Sequence, residues 1–438
     1  MYRFTIKKSS GMMVAFLTAY FFMGFISFAI VLVFFYLYLI VTTKVDFIYI
    51  RRAGVPELSA IFLVGLLSTV ALSPFPFSAW NIGKDMYFFS APIIMLVSGL
   101  TFLKNPRDLD QFLVAAIKTL TIISIVMFSD FLLSGAIFSI SLDTRYNYFM
   151  DSSASTVALL LIIALRPTLK SLLGSSTLSV LAMMNLFLII ASLSRVNLSI
   201  ALLSLVFVYS SNRFVRNSIL IFIIVLITTP FLQLPHISQM GSTSGEFGFF
   251  GKVLNSLQEM EISNYSELAD INQNWRGYEA YLGMERVFQV GGWANIIGIG
   301  FGSYAEGPFD NKLTEIPFFH NGYVTIFLKS GALGLAVFIT FIAKLFIRSR
   351  SAFKLAHKTA DPLITRAALI IVLLTISIVI RTLSTHGVYY SKPIIELFFI
   401  GISIYVWGSF QRSRQWRNDP TVTAAALGPC LSAKKGLQ

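Results

Sequence analysis

The chain has 438 residues, of which 55% are hydrophobic and only 13% are charged, and its mean hydropathy is +0.74. A soluble domain has about 25% charged residues, so this composition excludes a soluble globular protein and a disordered one. The net charge of +13 would indicate nucleic-acid binding in a soluble protein. In a membrane protein it is better explained by basic residues in cytoplasmic loops, and no nucleic-acid partner is predicted.

Apolar runs long enough to cross a membrane follow one another along the chain. A span needs about 20 mostly apolar residues. The clear candidates are 57–79, 86–103, 111–135, 152–166, 175–193, 197–211, 217–234, 321–346, 364–384 and 391–410. The first apolar run, 11–43, would make a helix of about 50 Å and is therefore either one long tilted span or two short ones broken near Gly24. With two spans, the sequence predicts an all-α integral membrane protein of about 12 transmembrane helices.

Basic residues decide the predicted orientation. With twelve spans, 22 of the 34 Lys and Arg residues lie on the side that holds both termini, and nine lie on the other. The positive-inside rule then places both termini in the cytoplasm. The predicted organisation is N-terminal membrane helices over 1–234, a periplasmic loop over 235–318, C-terminal membrane helices over 319–411 and a cytoplasmic tail over 412–438.

The periplasmic loop 235–318 has ten of the chain's 21 acidic residues and enough aromatic residues to fold, with short helices. Its stretch 274–290 has helical periodicity, with Tyr278, Tyr281 and Leu282 on one side and Met284 and Phe288 as further candidates for that side. The run IIGIGFG at 296–302 predicts a tight glycine turn packed on the membrane helices.

The candidate functional residues on the periplasmic side are ionisable, and each has a simple structural explanation. They are Arg145, Arg195, Arg276, Arg286, His320, Arg381 and His386. Arg195 lies between two closely spaced spans, either as an interfacial arginine or as an anion site. His320 follows Pro317 at a predicted helix start, either as a capping or interfacial histidine or as a neutral imidazole that acts as a general base. Arg145 and Arg276 could each be a surface arginine.

Metal and cofactor sites are not expected. The single cysteine, Cys430, and four scattered histidines make a structural zinc site improbable. The sequence lacks G-x-S-x-G, a Walker A motif and H-E-x-x-H.

Four stretches in order carry a resemblance to a known family. His320-Asn321, Gly331 and Gly334 read H-N-x9-G-x-x-G, and the other stretches are DTRYNYFMDSSA, SLSRVNLSIALL and NWRGYEAYLGMERVF followed by GIGFGSY. Over about 140–345 the chain resembles the bacterial O-antigen ligases and O-antigen polymerases, although Val196 stands where the family usually has glycine. The resemblance implies a membrane glycosyltransferase whose donor is an oligosaccharide or polysaccharide on undecaprenyl diphosphate.

The roles of individual residues follow from the same resemblance. It implies that Arg145, Arg195 and Arg276 bind the diphosphate and that His320 activates an acceptor sugar hydroxyl, with His320, Arg276 and Arg195 as the catalytic set. Because the leaving group is already activated, no metal or nucleotide cofactor is needed, and direct displacement inverts the anomeric configuration. The resemblance implies an enzyme of the bacterial inner membrane, among membrane lipids, with its active site on the periplasmic side.

Three functions remain open. A ligase of lipopolysaccharide biosynthesis would transfer the glycan to lipid A–core. A polymerase of O-antigen or exopolysaccharide would use a second lipid-linked chain as acceptor. A lipid-linked glycan flippase or transporter is disfavoured, because the sequence shows no paired charges at mid-membrane, no interrupted spans in matching halves and no internal repeat.

Overall fold

A computed structural model describes most of the chain. The described residues are 8–23, 27, 29–32, 34, 36–37, 47–72, 79–103, 105–133, 153–192, 194–209, 271, 274–309, 312–384, 389 and 395–418. Arg145, His386 and the predicted span 217–234 lie outside these residues.

The described chain is mainly helical. In chain order its helices are α1 (Lys8–Phe22), α2 (Phe47–Ala53), α3 (Val55–Leu72), α4 (Ala79–Phe102), α5 (Leu109–Leu133), α6 (Ser153–Leu173), α7 (Ser175–Ala191), α8 (Arg195–Tyr209), α9 (Trp275–Val290), α10 (Ala294–Ile297), α11 (Gly322–Thr359), α12 (Pro362–Ser384) and α13 (Glu396–Asn418). A 3₁₀ turn, Pro106–Asp108, leads into α5, and the strands β1 (Ala305–Phe309) and β2 (Lys312–Ile316) form an antiparallel hairpin.

Six helical segments of the described chain are long and apolar enough to cross a membrane. They are Val55–Leu72, Ala79–Phe102, Pro106–Leu133, Ser153–Leu173, Gly322–Thr359 and Pro362–Ser384. Three shorter apolar helices are Gly11–Phe22, Ser175–Ala191 and Val196–Tyr209. The chain is therefore an all-α membrane protein, while the total of twelve spans stays a prediction.

Several helices continue beyond the ends of the predicted spans. The predicted span 152–166 continues as α6 to Leu173 through Pro167, and 321–346 continues as α11 to Thr359. The basic residues after each predicted end therefore lie on helical extensions of these spans. At the start of the chain α1 ends at Phe22, beside the suspected break at Gly24, but 24–46 are only partly described.

Side-chain bonds show which helix ends lie together. Asp85 of α4 pairs with Lys329 of α11, and Arg381 of α12 pairs with Glu396 of α13. Asn197 of α8 bonds to Arg381, and Thr69 of α3 bonds to the same turn as Asp85. We call this end of the bundle, where α4, α8, α11 and α13 begin and α3 and α12 end, the loop end.

The opposite end of the bundle is held by a different set of contacts. There Arg366 of α12 pairs with Asp110 of α5, and Arg348 of α11 donates to the carbonyl of Arg51. We call it the basic end, because Arg350, Lys354 and Lys358 follow Arg348 on α11. The helices α3 to α8 and α11 to α13 thus alternate in direction, as the predicted topology requires.

The described part of the loop folds against the bundle at the loop end. Helix α9 confirms the helix predicted over 274–290, and Tyr278 and Met284 are buried as expected. Tyr281 and Leu282 are half-buried, whereas Phe288 is exposed, so the predicted apolar side is wrong at Phe288. The buried side of α9 packs with Phe319, Val324 and other residues around the start of α11.

Candidate functional site

His320 lies immediately before α11, as predicted, but it does not cap the helix. Asn321 is the N-cap, and its side-chain oxygen accepts hydrogen bonds from the backbone N–H groups of Tyr323 at 3.0 Å and Val324 at 3.4 Å. This arrangement satisfies two of the backbone donors that a helix start leaves unpaired. The explanation of His320 as the cap of α11 is therefore wrong.

The imidazole of His320 binds a carboxylate from the loop. Its Nδ1 lies 2.7 Å from Oε2 of Glu279 on α9, and its backbone N–H donates to the same oxygen at 3.0 Å. The ring is 29% exposed, whereas the carboxylate is only 6% exposed. A buried acid thus holds a partly exposed histidine at the junction between the loop and the bundle.

Glu279 determines how the imidazole can act. Its second oxygen, Oε1, accepts a hydrogen bond from the indole of Trp275 at 2.8 Å, which fixes the orientation of the carboxylate. An ionised carboxylate only accepts hydrogen bonds, so the hydrogen of a neutral ring is on Nδ1 and the lone pair is on Nε2. This is the arrangement of a general base oriented by an acid.

Arg276 lies in the first turn of α9, one helical turn before Glu279, and is half-buried. Residues three apart are neighbours on a helix surface. Glu279 therefore has two of the predicted catalytic residues as neighbours: Arg276 on the same helix and His320 immediately before α11.

Arg195 is the first residue of α8, and its backbone lies at the loop end. Two residues further on, the side chain of Asn197 accepts a hydrogen bond from Arg381 of α12 at 2.7 Å. This contact ties the start of α8 to the end of α12. The side chain of Arg195 lies outside the described structure, as does all of Arg145, so their diphosphate roles stay predictions.

Arg381 belongs to a buried polar cluster. Its Nε lies 2.9 Å from Oε1 of Glu396, and the hydroxyl of Ser377 donates to the same oxygen at 2.8 Å. The arginine and glutamate side chains are 13% and 2% exposed, so the pair neutralises charge inside the protein. We assign Arg381 to the joining of α8, α12 and α13.

The predicted glycine turn packs on the membrane helices, as the sequence indicated. The N–H of Phe301 donates to Thr69 of α3 at 2.6 Å, and the N–H of Gly302 donates to Oδ2 of Asp85 at 2.7 Å. Asp85 also pairs with Lys329 at 2.7 Å, and both side chains are fully buried. Lys329 in turn donates to the carbonyl of Ser303. The buried pair therefore connects the turn to α4 and α11.

The turn fits this interface only because two glycines meet there. Gly331 interrupts α11 with φ of 64°, and Gly298 approaches it with φ of 80°. A Cβ on Gly331 would lie 2.4 Å from the backbone of Gly298 and Ile296. The Gly331 of the H-N-x9-G-x-x-G pattern is thus required by a backbone-to-backbone contact.

Acidic residues surround the tyrosines of the loop. Burial raises the pKa of Tyr281, and the nearby Glu285 raises it further. Burial also raises the pKa of Tyr304, with added effects of Glu315 and Glu306. Both phenols therefore keep their hydrogen at neutral pH and can donate a hydrogen bond.

Three residues of this region were not singled out from the sequence. In the sequence, Glu279 is one of ten acidic residues of the loop, Lys329 lies within the predicted span 321–346, and Asp85 directly precedes the predicted span 86–103. One signal in the sequence could have identified Glu279. It lies on the same side of the predicted helix as Gly283, and an acid on a buried helix face needs a polar partner. Two buried charge pairs at the loop end, Asp85 with Lys329 and Arg381 with Glu396, were likewise not predicted from the sequence.

Comparison of the chain with protein-family models and with curated proteins finds no match. Within the described residues, no group of three or more His, Cys, Asp or Glu side chains could hold a metal ion.

Proposed function

We propose that the protein is a membrane glycosyltransferase that moves an undecaprenyl-diphosphate-linked glycan to a sugar hydroxyl, as an O-antigen ligase does. The observation that carries the proposal is the pair of His320 and Glu279, in which a buried acid orients a partly exposed imidazole. Arg276 on the same helix, and Arg195 at the start of α8, supply positive charge at the same end of the bundle.

The proposed reaction is a single displacement. Nε2 of His320 takes the proton of the acceptor hydroxyl, and the hydroxyl oxygen forms a bond to the anomeric carbon of the donor. The bond from that carbon to the diphosphate oxygen breaks, and undecaprenyl diphosphate leaves with the electron pair. Glu279 stabilises the imidazolium that forms, and the arginines stabilise the negative charge on the leaving group.

This chemistry uses only groups of the protein and the donor. The donor already has a good leaving group, so the proposal needs neither metal nor nucleotide. Attack from the face opposite the diphosphate inverts the anomeric configuration.

The proposed location is the inner membrane of a bacterium, with the loop end facing the periplasm. It is supported by the basic residues at the opposite end, among them Arg350, Lys354 and Lys358 on the extension of α11. Basic residues collect on the cytoplasmic side of membrane proteins. Lipid-linked donors are made inside and flipped outside, so an enzyme that uses them there needs its site at the loop end.

The test is transfer in vitro with the purified protein in lipid nanodiscs. The donor is a synthetic undecaprenyl-diphosphate oligosaccharide, the acceptors are lipid A–core and a second donor molecule, and EDTA is present without nucleotide. We expect a glycosylated acceptor with inverted configuration, detected by mass spectrometry and NMR. Product on lipid A–core identifies a ligase, and lengthened lipid-linked chains identify a polymerase. A reaction that EDTA abolishes, or no product with either acceptor, would contradict the proposal.

A further inference from the structure

Lys84 is a cation beside the segment that leads into α11. It lies in the second turn of α4, at the loop end, and is half-buried. Its Nζ is 5.6 Å from the ring centroid of Phe318, which is two residues before His320. The ring of Phe318 is buried and contacts Phe88 of α4, with their centroids 4.7 Å apart. The ammonium group is thus held next to the segment that carries the histidine.

The charge of Lys84 is not neutralised in the described part of the structure. No carboxylate among the described residues lies within ion-pair distance of its Nζ. The neighbouring Asp85 is fully buried and pairs with Lys329. Consecutive helical residues point about 100° apart, so Asp85 faces the core while Lys84 lies at its edge.

The aromatic contact positions the ammonium but does not cancel its charge. Lys329 also lies over the ring of Phe318, with its Nζ 5.3 Å from the centroid. A cation–π contact attracts the ammonium to the ring but leaves its charge in place. Two lysines therefore share one ring, and among the described residues the carboxylate next to them, that of Asp85, is bound to Lys329. The net positive charge remains with Lys84.

We propose that Lys84 binds a phosphate group of the lipid-linked donor beside His320. The inference rests on the proposed function and adds to it a cation that comes from α4 and contacts Phe318, two residues before His320. An ammonium group binds phosphate as a point charge, whereas arginine binds it with a planar fork. Lys84 acts in donor binding, and the proton transfer belongs to His320.

The test is direct binding, which does not require turnover. Undecaprenyl diphosphate and uncharged undecaprenol, each in nanodiscs, are titrated against the wild-type protein, Lys84→Met and Lys84→Arg, and the bound lipid is counted by native mass spectrometry. A hydrogen bond to a charged group contributes about 1.5–3 kcal/mol, so we expect Lys84→Met to weaken undecaprenyl diphosphate binding by about tenfold or more. Lys84→Arg should retain most of the affinity, and undecaprenol binding should not change.

The control is Lys354→Met, an exposed lysine at the basic end. It removes the same charge from the chain and should leave the affinity at the wild-type value. A folded Lys84→Met protein that binds undecaprenyl diphosphate as tightly as the wild type would overturn the role of Lys84. An equal loss for Lys354→Met would overturn it too, because the effect would then be one of net charge. Absence of binding by the wild-type protein would contradict the proposed function itself.

Discussion

The carboxylate of Glu279 receives three hydrogen bonds, two from His320 and one from the indole of Trp275. With both oxygens occupied, it cannot turn away from the imidazole without leaving a buried donor unpaired. In the proposed reaction its charge stabilises the imidazolium. It touches no substrate, so we describe Glu279 as a positioning residue.

Glu279→Gln tests this positioning role by replacing one carboxylate oxygen with an amide nitrogen. The amide keeps the shape of the side chain but removes the charge. We expect turnover to fall by tenfold or more, part of the about 10²–10⁴-fold that a general base contributes, with little change in the KM for the donor. Steady-state transfer rates at varied donor concentration measure both. The matched control is Glu285→Gln on the same helix; an equal loss in both variants would point to general damage of α9.

Substitutions of Arg276 test whether its planar set of N–H donors binds the diphosphate. Arg276→Ala should abolish transfer while the protein stays in the membrane. Arg276→Lys should restore little, because an ammonium lacks the planar fork that binds two phosphate oxygens. Transfer assays on purified variants measure this, with Arg286→Lys on the same helix as control. Full activity of Arg276→Ala would remove the arginine from the site.

At the scale of elements, the buried pair of Asp85 and Lys329 joins the glycine turn to α4 and α11. Removing one partner of a buried ion pair leaves an uncompensated charge and typically costs about 3–5 kcal/mol. We expect Asp85→Asn to lower the thermal stability of the purified protein and to expose the loop to protease. The double variant Asp85→Asn, Lys329→Met should recover part of the loss. Unchanged stability of Asp85→Asn would mean that the turn is held by other contacts.

The elements also show what the sequence could predict. Helix α9 and the glycine turn were predictable because their signals are local: a helical period over 274–290 and glycines at alternate positions. The partner of His320 was not, since Glu279 lies 41 residues away and only the packing of α9 on α11 brings them together. The pair of Asp85 and Lys329 depends on contacts of the same long-range kind.

At the scale of the whole molecule, the bundle has two chemically different ends. The loop end has the His320 and Glu279 pair, and the basic end has the cationic extension of α11. This difference between the two ends could be predicted from the sequence, because apolar spans and the basic residues between them can be located without knowing how the helices pack. Arg145 and the predicted span 217–234 lie outside the described residues, so the position of Arg145 and the number of spans stay predictions.

The polarity predicts the result of a topology experiment. Reporter fusions after Phe250 and after Arg414 should report opposite sides of the membrane, the first periplasmic and the second cytoplasmic. Paired alkaline phosphatase and fluorescent protein fusions measure this directly. If both positions report the same side, the loop and the basic end do not face opposite compartments.

The most direct test of the central claim, that His320 is the base of a glycosyl transfer, is the single-turnover rate of His320→Ala with a saturating undecaprenyl-diphosphate oligosaccharide and a defined acceptor. The variant should keep its fold, because Asn321 and not His320 caps α11, and it should bind the donor normally. We expect a rate lower by about 10²–10⁴-fold, with a residual rate from the bound and activated donor. A rate near that of the wild type, with the same donor affinity, would contradict it.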